Sequence, residues 1–119
     1  MAARAQTPFV YPCRFVRVID GDTIVVDIDC GFDVWMRNQT IRLSDIDTPE
    51  VFGPNASQAG QDARAFTAAW LLDAKGLTLV SRKYDDREKY GRILGRIYRE
   101  GDGVSLNTAL ADAGHRKGS

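Results

Sequence analysis

Apolar and polar residues alternate in short runs over the first third of the chain, switch to a helical spacing, and then alternate again. Phe15-Val16-Arg17-Val18-Ile19 is rich in β-branched residues and predicts a first strand. Asp20-Gly21 is a turn signal, and residues 23–28 predict the returning strand. Residues 27–37 are polar and contain Gly31, which predicts a loop or a bulged continuation. Residues 39–46 predict a third strand, with Ile41 and Leu43 on one face and Arg42 on the other. Thr48-Pro49 stops this meander, and a Gly/Pro/Asn loop runs to about Ser57. From there to Asp73 the positions of Ala59, Ala63, Phe66 and Trp70 are helical, with Asn55 or Ser57 to cap the start and Gly76 to fit the end. Residues 77–81 and 92–98 predict a fourth and a fifth strand, and residues 106–113 a short helix stopped by Gly114.

Five short strands with a helix between the third and fourth fit a small closed barrel of OB type, mainly β, with two helices. The 119 residues form one domain, with a core over about 12–114 and short tails. Such barrels often bind nucleic acids or sugars, but the fold alone assigns no function.

Hydrophobic content of 44% and charged content of 27% are ordinary for a globular protein. No apolar run approaches the roughly 20 residues that span a bilayer, so no membrane partner is expected. The first eight residues hold no apolar stretch of signal-peptide type, which leaves the cytoplasm or a mature secreted form as the expected compartment. The net charge is zero but unevenly spread. Residues 1–74 hold 6 Lys/Arg against 10 Asp/Glu, and residues 75–119 hold 10 against 6. An acidic half and a basic half suit a site that takes a cation and a phosphate together. The basic cluster within 82–99 reads equally well as a solvated face. Cys13 and Cys30 lie on the arms of the first predicted hairpin and can form a disulfide if they stand opposite one another. A register slip of one or two residues puts them out of reach. A single histidine and no Cys/His spacing argue against zinc.

Three segments carry the chemistry: Asp20-Gly21-Asp22-Thr23, then Arg42 to Glu50, then Lys89-Tyr90-Gly91-Arg92. The first reads, taken alone, as a hairpin turn. Yet Asp22 has the parity of Ile24, Val26 and Ile28, so it points inward at the barrel mouth if they face the core. An inward carboxylate is costly unless a cation or an arginine meets it. Asp45, Asp47 and Glu50 crowd three carboxylates into six residues, which either mark a solvated loop or surround a hard cation bound through oxygens. Arg42 and Arg92 are either surface arginines or forks for phosphate oxygens. Tyr90 offers a ring or hydroxyl near the same phosphate, and Tyr84 a weaker platform for a base.

Together these segments resemble the staphylococcal nuclease (thermonuclease) family. The resemblance is carried by residues 18–23, Ile41-Arg42-Leu43, Asp47-Thr48-Pro49-Glu50, Ala65-Phe66-Thr67, Lys89-Tyr90-Gly91-Arg92, Ile97-Tyr98 and Leu106-Asn107, and runs from about Phe15 to Gly114. It implies an OB barrel and calcium-dependent hydrolysis of DNA and RNA, single strands preferred, leaving 3′-phosphate and 5′-hydroxyl ends. Carried over by position, Asp22 and Asp47 ligate one Ca²⁺ through carboxylates and Thr48 through its carbonyl. Glu50 orients or deprotonates the attacking water, and Arg42 and Arg92 hold the phosphate. Lys89 and Tyr90 hold the nucleotide, and Asp20 supports the ligands from behind. Two departures modify these expectations. Longer members continue past the position of Gly114 with tyrosines near the nucleotide, whereas only His115 to Ser119 follow here, which predicts weaker base stacking, reliance on a partner chain such as a homo-oligomer, and a solvated His115. Residues 51–63 hold no Lys or Arg, which predicts weak, salt-dependent affinity for DNA at large. The rival reading is a silent module of the same fold that binds nucleic acid or a peptide.

Overall fold

A computed structural model of the chain describes residues 9–81 and 91–117. Lys89, Tyr90 and Tyr84 lie outside the described residues. The elements run β1 (Phe9–Asp20), β2 (Thr23–Asp29), β3 (Trp35–Leu43), α1 (Gln58–Leu72), β4 (Leu77–Ser81), β5 (Ile93–Arg99) and α2 (Leu106–Asp112). The strands close a barrel in the order β1-β2-β3-β5-β4, mainly β with two helices, as the pattern predicts. β3 and β5 run parallel, and the other neighbours are antiparallel.

Several boundaries differ from the pattern: β3 ends at Leu43 rather than at Ile46, and two other differences follow from pairing. β1 begins at Phe9 because its first half pairs with β4, Phe9 opposite Ser81 and Cys13 opposite Leu77, while its second half pairs with β2. A partner so distant in sequence leaves no local signal, and Pro12 hides the strand further. Residues 27–37 take the bulged alternative. β2 runs on to Asp29, and β3 starts at Trp35 with a register shift opposite Asp27. Asn38 adopts φ 55° there, and its N–H donates to the Asp27 carboxylate at 2.8 Å.

Alternation on β2 sends Ile24, Val26 and Ile28 into the core, where they meet Ile41, Leu43, Leu79 and Ile97 from the other strands. Trp70 and Leu71 of α1 and Leu106 and Leu110 of α2 close this core. Ser57 caps α1 by accepting the Gly60 N–H, and Asp73 ends it, so Gly76 falls in the turn to β4. The Asn107 amide is buried and fully used. Its NH₂ donates to the Ser44 and Gly95 carbonyls, and its oxygen accepts from the Ile97 N–H, tying α2 to β5 and to the end of β3. Among the described residues no helix is long and apolar enough to cross a membrane.

The register settles the cysteines. Cys13 stands opposite Ile28, and Cys30 lies two residues beyond, past the end of β2, so both are free thiols. Burial pushes the Cys13 thiol up to about 12. A thiol-reactive dye at pH 8 should therefore label at most one site per native chain, Cys30, and both once the chain is denatured. A second tie is equally testable. The buried Thr67 hydroxyl of α1 donates to the Gly21 carbonyl at 2.6 Å. Thr67→Val orphans that carbonyl and should cost about 1–3 kcal/mol in urea unfolding.

Candidate active site

The β1–β2 turn, the loop after β3 and the approach to β5 meet at one barrel mouth, where they enclose a recess of about 130 Å³. It is lined by Asp20, Asp22, Thr23, Arg42, Asp47, Thr48, Pro49, Glu50 and Arg92. Seven of these are the charged and carbonyl-bearing residues singled out in the sequence. Thr23 and Pro49 join them without a chemical signal of their own.

The turn is held against α1 by close approach. A Cβ on Gly21 would stand 2.9 Å from both the Ala63 Cβ and the Thr48 hydroxyl oxygen. A Cβ on Gly60 would overlap the Glu50 carbonyl oxygen, so the Asp47–Glu50 loop also lies flat against the helix. Asp22, in the turn just before β2, is 6% exposed, and Thr23 and Val25 of the other parity are buried as well. One of its carboxylate oxygens accepts from the Thr23 hydroxyl at 3.0 Å, and the other from the Thr48 N–H at 3.0 Å.

Arg42 supplies the countercharge. Its Nη2 stands 3.3 Å from an Asp22 oxygen and 3.3 Å from an Asp47 oxygen, bridging the two carboxylates. Its Nη1 donates to the Leu43 carbonyl at 2.6 Å and the Ile46 carbonyl at 2.7 Å. In this structure the fork expected to meet phosphate is turned onto the protein. Asp47 is mostly exposed and reaches Arg42 from the loop. Arg92 lines the recess from the start of β5.

Asp20 is held above the usual carboxylate range, first by burial and then by the neighbouring Asp22 and Glu50 charges, with Arg64 and Arg42 pulling the other way. One Asp20 oxygen and the Thr48 hydroxyl oxygen are buried with no hydrogen-bond partner among the described residues. No group of three or more His, Cys, Asp or Glu side chains able to hold a metal ion occurs among them either. The donors around the recess are all oxygens, two are orphaned, and a positive charge already bridges two carboxylates. That chemistry fits a hard cation held by a few protein oxygens, with water or phosphate filling the remaining positions.

Sequence reasoning missed Lys117. Its ammonium lies 3.1 Å from a Glu50 oxygen, and its backbone N–H donates to the Asp47 carbonyl at 2.7 Å. The hydrogen bond to Glu50, and then the Asp47 charge, hold the ammonium above its ordinary range. Nothing in the periodicity flags a lysine three residues beyond a helix-ending glycine. His115, expected to be a solvated tail residue, instead packs its ring 5.0 Å from that of Phe66 on α1.

Fold and site together define a small OB-type barrel with a recess of carboxylates and arginines at one mouth. A sequence model described as staphylococcal nuclease homologue matches residues 40–117, and the chain belongs to the staphylococcal nuclease family. It is 38% identical over 89 residues to a thermonuclease of Staphylococcus hyicus, covering 71% of this chain and 47% of that protein. A thermonuclease of Staphylococcus intermedius is 36% identical over 102 residues, covering 82% and 54%. Endonuclease YncB of Bacillus subtilis (strain 168) is 39% identical over 90 residues, covering 74% and 39%. The chain thus spans about half the length, or less, of these relatives.

The bridging role of Arg42 has a measurable consequence. Arg42→Met leaves the inward Asp22 charge without its guanidinium and should destabilise the fold by about 3 kcal/mol. Adding Asp22→Asn removes the stranded charge and should recover most of that loss in the same denaturant titration.

Proposed function

We propose that the protein is a calcium-dependent nuclease that hydrolyses phosphodiester bonds of DNA and RNA, single strands preferred, leaving 3′-phosphate and 5′-hydroxyl ends. One observation carries the reading. Residues from three separate segments, chosen for phosphodiester chemistry, line one recess of about 130 Å³ at one barrel mouth. Membership of the family and the endonuclease and thermonuclease names of its relatives support it.

Asp22 and Asp47 would hold the ion through carboxylates and Thr48 through its carbonyl. Once bound, Ca²⁺ supplies positive charge to a phosphate oxygen and orients water beside it. Glu50, half-exposed at the rim, takes a proton from the water whose oxygen attacks phosphorus. The bond from phosphorus to the 5′ oxygen breaks, and that oxygen leaves as a hydroxyl after taking a proton from solvent. Arg92, and Arg42 once its fork exchanges protein oxygens for phosphate oxygens, would hold the phosphate as negative charge builds on it. Asp20 supports the ligand loop from behind. Lys89 and Tyr90 hold the nucleotide in this reading.

The test is digestion of a single-stranded DNA oligonucleotide with calcium and with chelator, followed by end-group analysis. Cleavage that chelator abolishes and that leaves 3′-phosphates is the expected result. A 3′-hydroxyl product, or cleavage indifferent to chelator, overturns the mechanism. No cleavage, with binding intact, favours the silent module. Glu50→Gln and Arg92→Lys should each fold normally and lose about 10²-fold or more in kcat, the second because lysine keeps the charge but not the fork.

A further inference from the structure

The end of α2 returns the chain to the recess. Gly114 turns it at φ 83°, and the His115 N–H donates to the Leu110 carbonyl at 2.9 Å. The His115 ring then packs on Phe66. This fixes where the next two residues go. Lys117 lines both clefts beside the recess, one of about 450 Å³ that also meets Glu50, and one of about 440 Å³ that also meets Arg42 and Asp47.

Lys117 makes two attachments from a single residue. Its backbone N–H grips the Asp47 peptide at 2.7 Å, and its ammonium grips the Glu50 carboxylate at 3.1 Å. The separation between the Asp47 backbone and the Glu50 carboxylate is thereby set by one side chain's reach. Without that hold, a carboxylate that is 42% exposed has several rotamers open to it. The ion pair is nearly half-exposed on both sides, so solvent screens it and it does little for stability. Geometry is another matter, because misplacing a reacting group by about 1 Å can cost on the order of 10²-fold in rate.

We propose that Lys117 is a positioning residue for Glu50, holding its carboxylate at the recess mouth at a fixed reach from Asp47. The proposal rests on the reading of Glu50 as the group that takes the proton from water. Lys117 touches neither substrate nor the reacting atoms in this role; it acts through the carboxylate.

The experiment compares Lys117→Met, Lys117→Arg, Glu50→Gln and the Lys117→Met/Glu50→Gln double variant on a single-stranded DNA oligonucleotide with calcium. Lys117→Met should lower kcat about tenfold. KM should stay within about twofold, because the lysine does not bind substrate. Tm should move by less than about 2 °C, because the pair is exposed. Lys117→Arg should restore most of the rate. In the Glu50→Gln background the methionine should have no further effect, because the lysine has nothing left to position. A raised KM with kcat unchanged, or a loss that persists in the Glu50→Gln background, overturns the proposal in favour of direct phosphate contact. A raised kcat overturns it in favour of a contact that blocks the site.

A second readout needs no catalysis. The Glu50 side-chain ¹³C resonances should be sharp and single in the native chain and shift or broaden in Lys117→Met. An unchanged spectrum overturns the positioning role. A chain with no nuclease activity but with the spectral change would remove the functional reading and leave Lys117 as the residue that orders Glu50.

Discussion

Asp22 faces the interior of the barrel, and the guanidinium of Arg42 makes that position tolerable. Desolvating a lone carboxylate is expensive, and the mouth of a small barrel offers little water to soften it. Arg42 meets the charge with Nη2 and spends Nη1 on the carbonyls of Leu43 and Ile46, where β3 breaks into the following loop. The same cation therefore neutralises β2's inward anion and caps the end of β3. It also draws Asp47 in from the loop. Two carboxylates share this one guanidinium, so an anion arriving here meets a net negative network and has to redistribute existing ion pairs.

Close backbone contact does the rest of the positioning. Gly21 admits Ala63 and Thr48 to within the space a side chain would fill, and Gly60 lets the Glu50 carbonyl rest on α1. Thr67 then ties the helix to the turn through a buried hydroxyl. The recess is thus built on contacts between a strand turn, a loop and a helix face, and its shape depends on the small size of those glycines and that alanine.

Much of this was legible in the residues, and the limits were physical. Ile24, Val26 and Ile28 enter the core as their alternation requires, and Asp22 is buried beside them, although Thr23 and Val25 of the other parity are covered too. The helical spacing of Ala63, Phe66 and Trp70 marked α1. The first half of β1 was not legible, since its partner β4 lies far along the chain and Pro12 breaks the local pattern. The direction of the Arg42 fork was not legible either. Alternation places its Cα off the core face, but the long side chain bends to carbonyls that exist only once the β3 strand has ended. Lys117 carries no periodic signature at all, and its place follows from the turn at Gly114 and the packing of His115 on Phe66.

The barrel closes along a short parallel seam, where Ile41, Arg42 and Leu43 of β3 pair with Ile93, Leu94 and Gly95 of β5. Asp20, Asp22 and Arg42 belong to the meander on one side of it, and Arg92 leads into the strand on the other. A chain whose meander has formed but whose seam is open carries two incomplete halves of the recess, held apart. The recess is therefore whole only where this seam is closed, and three residue pairs hold its two sides in register.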